Sequence, residues 1–454
     1  MKNHITDQLA SAPVGRLITK FSIPCILSLV VNGLYNIVDQ IFIGNGIGYI
    51  GNSATNVVFP LTILCVALGV LFGDGAATYM SLMLGQERQS DAEKGVINGI
   101  LLSVLVSLLL FAISVIFLKQ IVFLFGCTQT VLPYALGYGS IVVFGFPFVM
   151  ISTTVNSIIR ADGSPGFAML SLVSGAVFNT VMDPVFIFLF KWGVQGAALA
   201  TIMGQCITFV ISLLYRKKWK SVRIRISAAA FSIHHCRSLI PMGISSFINQ
   251  MATVIMTAVI NNMLTAWGAV SVYGTDIPLA VMGITLKINQ IFLFIVIGIA
   301  AGAQPIISFN YGAQKYDRVL KAFRIVVLSS LAASTAAFLL FQFKPMLIVS
   351  LFGSESDLYN TFAVKSFRIF LLLCIPDGFQ TFASIFVQAI GKPKEALILS
   401  LSRQIVFLIP AVILLPHVLG IEGVLWAGPL ADAPACILAL RVTAGTVKEL
   451  RPVH

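Results

Sequence analysis

Long apolar runs alternate with short polar breaks along this chain, and the run lengths predict its architecture. Twelve runs lie near 21–44, 54–83, 96–118, 132–158, 167–190, 194–215, 238–263, 278–309, 322–343, 364–390, 396–415 and 420–442. Each can form a helix that crosses a hydrocarbon core about 30 Å thick. No stretch between them is long enough for a soluble domain. The pattern predicts an all-α integral membrane protein with twelve transmembrane helices.

The breaks repeat. LGQERQSDAEK (84–94) resembles YGAQKYDRVLK (311–321), IIRADGSPGFAML (158–170) resembles FVQAIGKPKEALI (386–398), and GVQGAALA (193–200) resembles GIEGVLWA (420–427). All three pairs are offset by 227 or 228 residues. Agreement on one offset indicates duplication of a six-helix unit. Because six is even, both copies enter the membrane from the same side and form a parallel repeat, as in one class of secondary transporters. The expected division is an N-terminal lobe (1–215), a basic linker (216–237) and a C-terminal lobe (238–454).

Composition sharpens the class. Of 454 residues, 58% are hydrophobic and 10% charged, against roughly 25% charged in soluble domains. About twenty mostly polar residues precede the first apolar run, so the N-terminus is not read as a cleavable signal. The formal net charge of +12 could suggest a nucleic-acid partner, but its distribution argues otherwise. With the N-terminus inside, twenty-two Lys and Arg fall in inner segments and four, Lys119, Lys191, Lys344 and Lys365, in outer ones. That asymmetry predicts a multi-pass cell-membrane protein with both termini cytoplasmic. It also makes RKKWKSVRIR (216–225) a topology and lipid-headgroup signal rather than a nucleic-acid site. Seven cysteines stand singly, without CxxC, and suggest neither disulfides nor a metal site. The five histidines lie in loops or tails, and HExxH, GxSxG and nucleotide loops are absent, so neither an enzyme nor an ATP motor is indicated.

The polar residues inside the spans carry the chemistry. Phe167–Phe190 holds a single charge, Asp183, with Asn179 one turn before it and Pro184 after it. A carboxylate at a helix centre in lipid costs at least about 2.5–3.5 kcal/mol, so it must face a cavity or a partner. In the first span Asn32, Asn36 and Asp39 follow i, i+4, i+7 spacing, and Tyr35 lies one turn before Asp39, all on one side of a helix. Both helices run outward, and their register puts the two carboxylates within roughly 3 Å in depth. Two carboxylates among amides and a phenol suit a proton; hard oxygens, including the Thr180 carbonyl freed by Pro184, suit Na⁺ at Asp39, Asn179 and Asp183. The spacing leaves both ions open. Asn156 and Gln205 are further candidates, with an interhelical hydrogen bond as the alternative. The second lobe offers Asp377, Gln380, Asp432, Lys287 and Arg403, with Lys287 a candidate partner for one of the acids. Asp74, in GDGAAT, is read as structural or gate-related. The counterpart of Asp183 in the second lobe is Ala411, so duplication did not copy the acidic pair.

These residues resemble a known family over almost the whole chain. NGLYNIVDQIFIGN (32–45), IRADGSP (159–165), NTVMDPVFIF (179–188), VQGAALAT (194–201), QPIISFNYGAQKYDRV (304–319), GKP (391–393) and RQIVFLIP (403–410) are similar, in order and spacing, to the multidrug and toxic compound extrusion (MATE) family. The bacterial branch with an Asp in the first and fifth helices is the most similar. The resemblance implies a two-lobe antiporter that exports cationic or amphipathic small molecules against H⁺ or Na⁺ and needs no other cofactor. It assigns Asp39, Asn179 and Asp183 to a first-lobe cation site lined by Tyr35, Asn36 and Asn156. Asn32, Gln205, Lys287, Asp377 and Gln380 are expected to line the substrate cleft. The seventh helix carries only amides, which departs from the branch with an acid there, and Asp377 stands where an apolar residue is implied.

A flippase for lipid-linked precursors is the alternative; it should line its cleft with several basic residues, and here only Lys287 and Arg403 qualify. A passive channel would not need a buried acidic pair on kinked helices. The lipid bilayer and small molecules are the expected partners, nucleic acid is not, and a single chain is expected to suffice. Tags at either terminus should bind antibody only after cells are permeabilised; labelling of intact cells would reverse the orientation.

Overall fold

A computed structural model describes residues 4–222, 231–352 and 357–450. Within the expected linker, 223–230, including Arg223 and Arg225, lie outside the described residues. The first lobe comprises α1 (His4–Ser11), α2 (Val14–Ile47), α3 (Tyr49–Gly85), α4 (Gln89–Leu124), α5 (Leu132–Phe144), α6 (Phe146–Ala161), α7 (Pro165–Pro184) and α8 (Gly193–Leu214). The second comprises α9 (Ile233–Gly268), α10 (Asp276–Gly312), α11 (Tyr316–Phe343), α12 (Pro345–Phe352), α13 (Asp357–Phe370), α14 (Cys374–Ala389), α15 (Pro393–Leu401), α16 (Ile409–Leu414), α17 (Pro416–Leu419) and α18 (Glu422–Glu449). A π-helical turn, Val185–Leu189, extends α7, and another, Ser402–Leu408, joins α15 to α16. Among the described residues no strand occurs.

Ten of these helices or joined helices are long and apolar enough to cross a membrane, and two bent pairs bring the number to twelve. Leu105, Leu109, Ile116 and similar side chains stand exposed on the outside of the bundle, as lipid contact requires. The fourth and tenth predicted spans are not straight, as continuous helices over 132–158 and 364–390 would be. They break between α5 and α6 by 47° and between α13 and α14 by 49°. Pro147 and Pro376 sit in the first turn beyond each break. Proline lacks the N–H that would bond back across the break, and its ring excludes the preceding turn.

The two breaks occupy the same place in each copy, and the loops repeat as closely. Left-handed backbone occurs at Glu87 (φ 61°) and Gln314 (φ 57°), at Gly163 (81°) and Gly391 (76°), and at Gly193 (57°) and Gly420 (60°). Each pair falls within one of the three pairs of similar segments in the sequence. The same backbone turn has therefore been kept in both copies, even at Glu87 and Gln314, where a side chain makes left-handed conformation costly.

The lobes touch near the end of the bundle that carries both termini and most of the basic residues, called here the basic end. Backbones approach through small residues along α3–α9, α3–α10 and α2–α10. A Cβ on Gly243 would overlap the Leu71 carbonyl, one on Gly312 the Leu82 carbonyl, and one on Gly85 the Phe309 carbonyl. Gln304 Nε2 donates to Thr78 Oγ1 (2.9 Å) and Ser22 Oγ to the Ile299 carbonyl (3.0 Å) across the same seam. Arg318 donates to the carbonyls of Leu9 (3.0 Å) and Ala12 (2.7 Å), which ties the chain's beginning to the second lobe. Asp162, in the loop after α6, accepts from Tyr215 Oη (2.6 Å) and from the backbone N–H groups of Lys220 (2.9 Å) and Ser221 (2.7 Å). Burial pushes its carboxyl up while these donors pull it back. The arrangement fixes where the linker leaves the first lobe.

Gly243→Ala places a methyl group against the Leu71 carbonyl. The resulting overpacking should cost about 1–3 kcal/mol, read as a lower thermal-unfolding temperature of the purified protein. An unchanged temperature would mean that the seam does not depend on this approach.

Candidate functional site

The α2, α5, α7 and α8 helices bring a polar cluster into the first lobe away from the basic end. Asp183, at the end of α7, is fully buried, and Asp39 of α2 is half-buried. Their carboxyls lie within hydrogen-bonding reach of one another. Asn179 of α7 donates to Asp183 at 3.3 Å in either orientation of its amide. In one orientation it also donates to Thr201 Oγ1 of α8 (3.4 Å); in the other its oxygen accepts from the Thr201 N–H (3.2 Å). Tyr35 lies close enough to feel the charge of both acids. So does Tyr138 of α5, which lies near Thr201. The i, i+4 spacing puts Asn179 and Asp183 on one helical face, and α2 packs along that face. The edge-on contact of Phe42 with Phe188 (centroids 6.3 Å) and the approach of Gly46 to Ile187 close the cluster toward the opposite end.

Two carboxylates cannot hydrogen-bond to each other; a carboxyl and a carboxylate can. With both acids ionised, Asp39 Oδ1 is buried without a partner. One proton between Asp39 and Asp183 supplies the missing donor and removes one of two like charges. Leaving a buried polar atom unpaired costs about 1–3 kcal/mol, so the pair calls for a shared proton or a bound cation. The site can accept and give up a proton, or hold a cation between its oxygens.

The other expected residues scatter. Asn36, exposed, donates to the Asn32 carbonyl (2.7 Å) and to Asn32 Oδ1 (3.2 Å) one turn earlier. Asn156 is buried, and neither of its polar side-chain atoms has a partner. It lies toward the basic end, between Thr154, which bonds the Gly69 carbonyl (3.0 Å), and Ser157, which bonds Asp74. That places it apart from Asp39 and Asp183 rather than in their cluster. Gln205 packs its oxygen against Gly145, at the break in the fourth span. Gln380 is buried and donates to the Leu399 carbonyl (2.7 Å), tying α14 to α15 rather than facing an open cleft. Lys287 is exposed and makes no ion pair among the described residues, so the expected pairing with an acid is not seen.

Arg403 takes that pairing role. Its Nε lies 2.8 Å from Asp377 Oδ1 and 2.7 Å from Asp432 Oδ1, with all three residues buried. A guanidinium fixed between two acids accounts for Asp377, which the resemblance does not lead one to expect. The position 228 residues earlier than Arg403 is Gly175, which approaches Gly204 backbone to backbone, and the position 227 residues earlier than Asp432, the offset of the 193–200 and 420–427 pair, is Gln205. One copy of the fold thus holds its helices by glycine contact where the other uses an ion pair. A third cluster spans the seam: Asp74 accepts from Ser157 (2.9 Å) and Arg160 (3.4 Å) of the first lobe and from Ser246 (3.0 Å) of the second. Among the described residues no group of three or more His, Cys, Asp and Glu is placed to hold a metal ion.

Sequence reasoning missed Tyr138 and Thr201. A tyrosine in an apolar run carries no periodic signal, and Thr201 is a single hydroxyl at the end of the small, apolar VQGAALAT stretch (194–201).

Comparison with known proteins agrees with this architecture. The MatE family model matches residues 24–185 and 241–413, once in each lobe. The multidrug export protein MepA of Staphylococcus haemolyticus (strain JCSC1435) is 24% identical over 447 residues, covering 97% of this chain and 95% of that protein. MepA of Staphylococcus aureus (strain MSSA476) is 24% identical over 445 residues, covering 97% and 96%. Among solved structures, the outward-facing conformation of a multidrug resistance MATE family transporter of the MOP superfamily superposes with a TM-score of 0.91 at 21% identity, covering 99% of both chains. A MOP superfamily transporter from Pyrococcus furiosus whose binding pocket is described as having reverse polarity gives 0.91 at 21% identity, covering 100% of both.

Arg403→Met would leave Asp377 and Asp432 buried without a counter-charge. Breaking such a pair from one side costs about 3–5 kcal/mol, so the purified variant should unfold at a markedly lower temperature. Combining it with Asp377→Asn and Asp432→Asn should recover most of the loss. No recovery in the triple variant would show that Arg403 acts through something other than these acids.

Proposed function

The chain belongs to the MatE family, and we propose on that footing that it exports amphipathic, cation-bearing drugs in exchange for protons taken up at Asp39 and Asp183. The relatives named for multidrug export support the substrate class. The contact between the two carboxyls carries the choice of ion. A shared proton would replace the repulsion of two like charges by a hydrogen bond between the carboxyls. The units 1–215 and 238–454 are proposed to move as lobes about the 216–237 linker, with both termini in the cytoplasm and the protein in the cell membrane. The close approach of the lobes at the basic end supports a cleft facing outward in this reading. A proton entering from outside would remove one of the pair's two charges, close Asp39 onto Asp183 and draw α2 against α7. That movement narrows the first lobe and displaces a cation held there. One chain supplies both lobes, so no second copy is needed.

Asp183→Asn and Asp39→Asn should each reduce pH-gradient-driven efflux of a cationic dye from proteoliposomes to the protein-free background, with protein content unchanged. An imposed Na⁺ gradient at constant pH should drive no efflux by the unaltered chain. Undiminished efflux by Asp183→Asn, or efflux driven by Na⁺ alone, would contradict the proposal.

A further inference from the structure

α2 and α10 run antiparallel and touch through one stripe on each. Gly302 meets Ser22, Gly298 meets Ile26 and Phe294 meets Gly33, each close enough that a Cβ on the glycine would clash. On α10 these are positions i, i+4 and i+8, and the same stripe continues through residues 291, 287, 283 and 280. Beyond Phe294 it is no longer covered. Lys287, Gln290 and Ala280 are exposed, and a Cβ on Gly283 would have nothing within 4 Å. On α2 the stripe of Ser22, Ile26 and Gly33 continues to Asn36, also exposed. The helices therefore diverge past the Gly33–Phe294 contact, and their facing stripes become opposite walls of a cleft. One wall carries Asn36 and Asn32, the other Lys287 and Gln290.

The register sets the depth. From Phe294 to Lys287 is about 10 Å along α10, and from Gly33 to Asp39 about 9 Å along α2, at 1.5 Å per residue. Lys287 thus lies level with the acidic pair, on the other lobe. It cannot reach the helix end by snorkelling, since Asp276 begins α10 eleven residues, about 16 Å, away. Its ammonium makes no ion pair among the described residues. A charge inside a span without a partner calls for a water-filled cavity and a passing counter-ion.

We propose that Lys287 is the anion-recognising group of the cleft, so that the preferred substrates are zwitterionic amphipaths whose carboxylate meets Lys287 while their amine faces the Asp39–Asp183 wall. This rests on the export reading above and narrows its substrate class. A purely cationic drug would meet an ammonium at that depth and gain nothing from it. A zwitterion has a complementary charge on each wall, at a single level of the cleft.

The test compares a free-carboxylate rhodamine with its methyl ester, which differ only in the anionic group. In proteoliposomes under a pH gradient, the unaltered chain should transport the carboxylate with a KM about tenfold below that of the ester, the effect of one charge-assisted hydrogen bond. Lys287→Met should bring the ratio of the two KM values to near one, and Lys287→Arg should restore the preference. A ratio that Lys287→Met leaves unchanged overturns the proposal, as does an unaltered chain that prefers the ester. Dye binding to the purified protein, followed by fluorescence anisotropy, reads the same ratio without transport. If neither dye is moved but the binding ratio behaves as described, the export reading fails and the Lys287 assignment stands. If dye is exported but both ratios ignore Lys287, the assignment fails and export stands.

Discussion

An ionised group inside an apolar bundle must be matched, and the fold's polar features are different solutions to that requirement. Asp377 and Asp432 are matched by Arg403 within the second lobe. Asp74 is matched by Arg160 and by hydroxyls from both lobes, at the sealed end of the seam. Asp39 and Asp183 have no fixed cation among the described residues and face each other. A carboxyl pair of that kind is satisfied by something that comes and goes. Lys287 is the complementary case on the opposite wall, a fixed cation without a fixed acid.

The duplication explains how one chain can hold both kinds of site. Both copies keep the broken fourth span and the left-handed loop residues, which set the course of the backbone. Their interiors have diverged. Gly175 touches Gly204 in the first lobe at the position where Arg403 pairs with its acids in the second, and Ala411 stands in the second where Asp183 stands in the first. A permanent internal cation pairs the second lobe's acids with Arg403. The first lobe, packed by glycine contact around an unmatched acidic pair, is the one whose charge can change. In the proposed cycle it is accordingly the lobe that responds to protons.

Much of this was legible in the sequence because it depends on spacing. Run lengths predicted the spans, the common offset predicted the repeat, and i, i+4 placement put Asn179 and Asp183 on one face. Pro147 and Pro376 stand inside the fourth and tenth predicted spans, and the bends there follow from their position at matching turns. The partner of the second-lobe acids was not legible. Arg403 lies in a π-helical turn, Ser402–Leu408, where the 3.6-residue period that assigns faces no longer applies, so Lys287 looked the better candidate. Tyr138 was hidden for another reason: it reaches the cluster from α5, and only the packing of α5 on α8 reveals it. Asn156 shared its residue type with the site but not its depth, since its helix enters from the opposite end.

In the proposed cycle an exchangeable proton at Asp39 and Asp183 competes with substrate. The most direct measurement is proton release from the purified protein in weakly buffered detergent, followed with a pH indicator as a cationic substrate is added. The account predicts release of about one proton per chain on saturation, by linkage between substrate binding and protonation, and none from Asp183→Asn. No release from the unaltered chain on saturation, or equal release from Asp183→Asn, would contradict it.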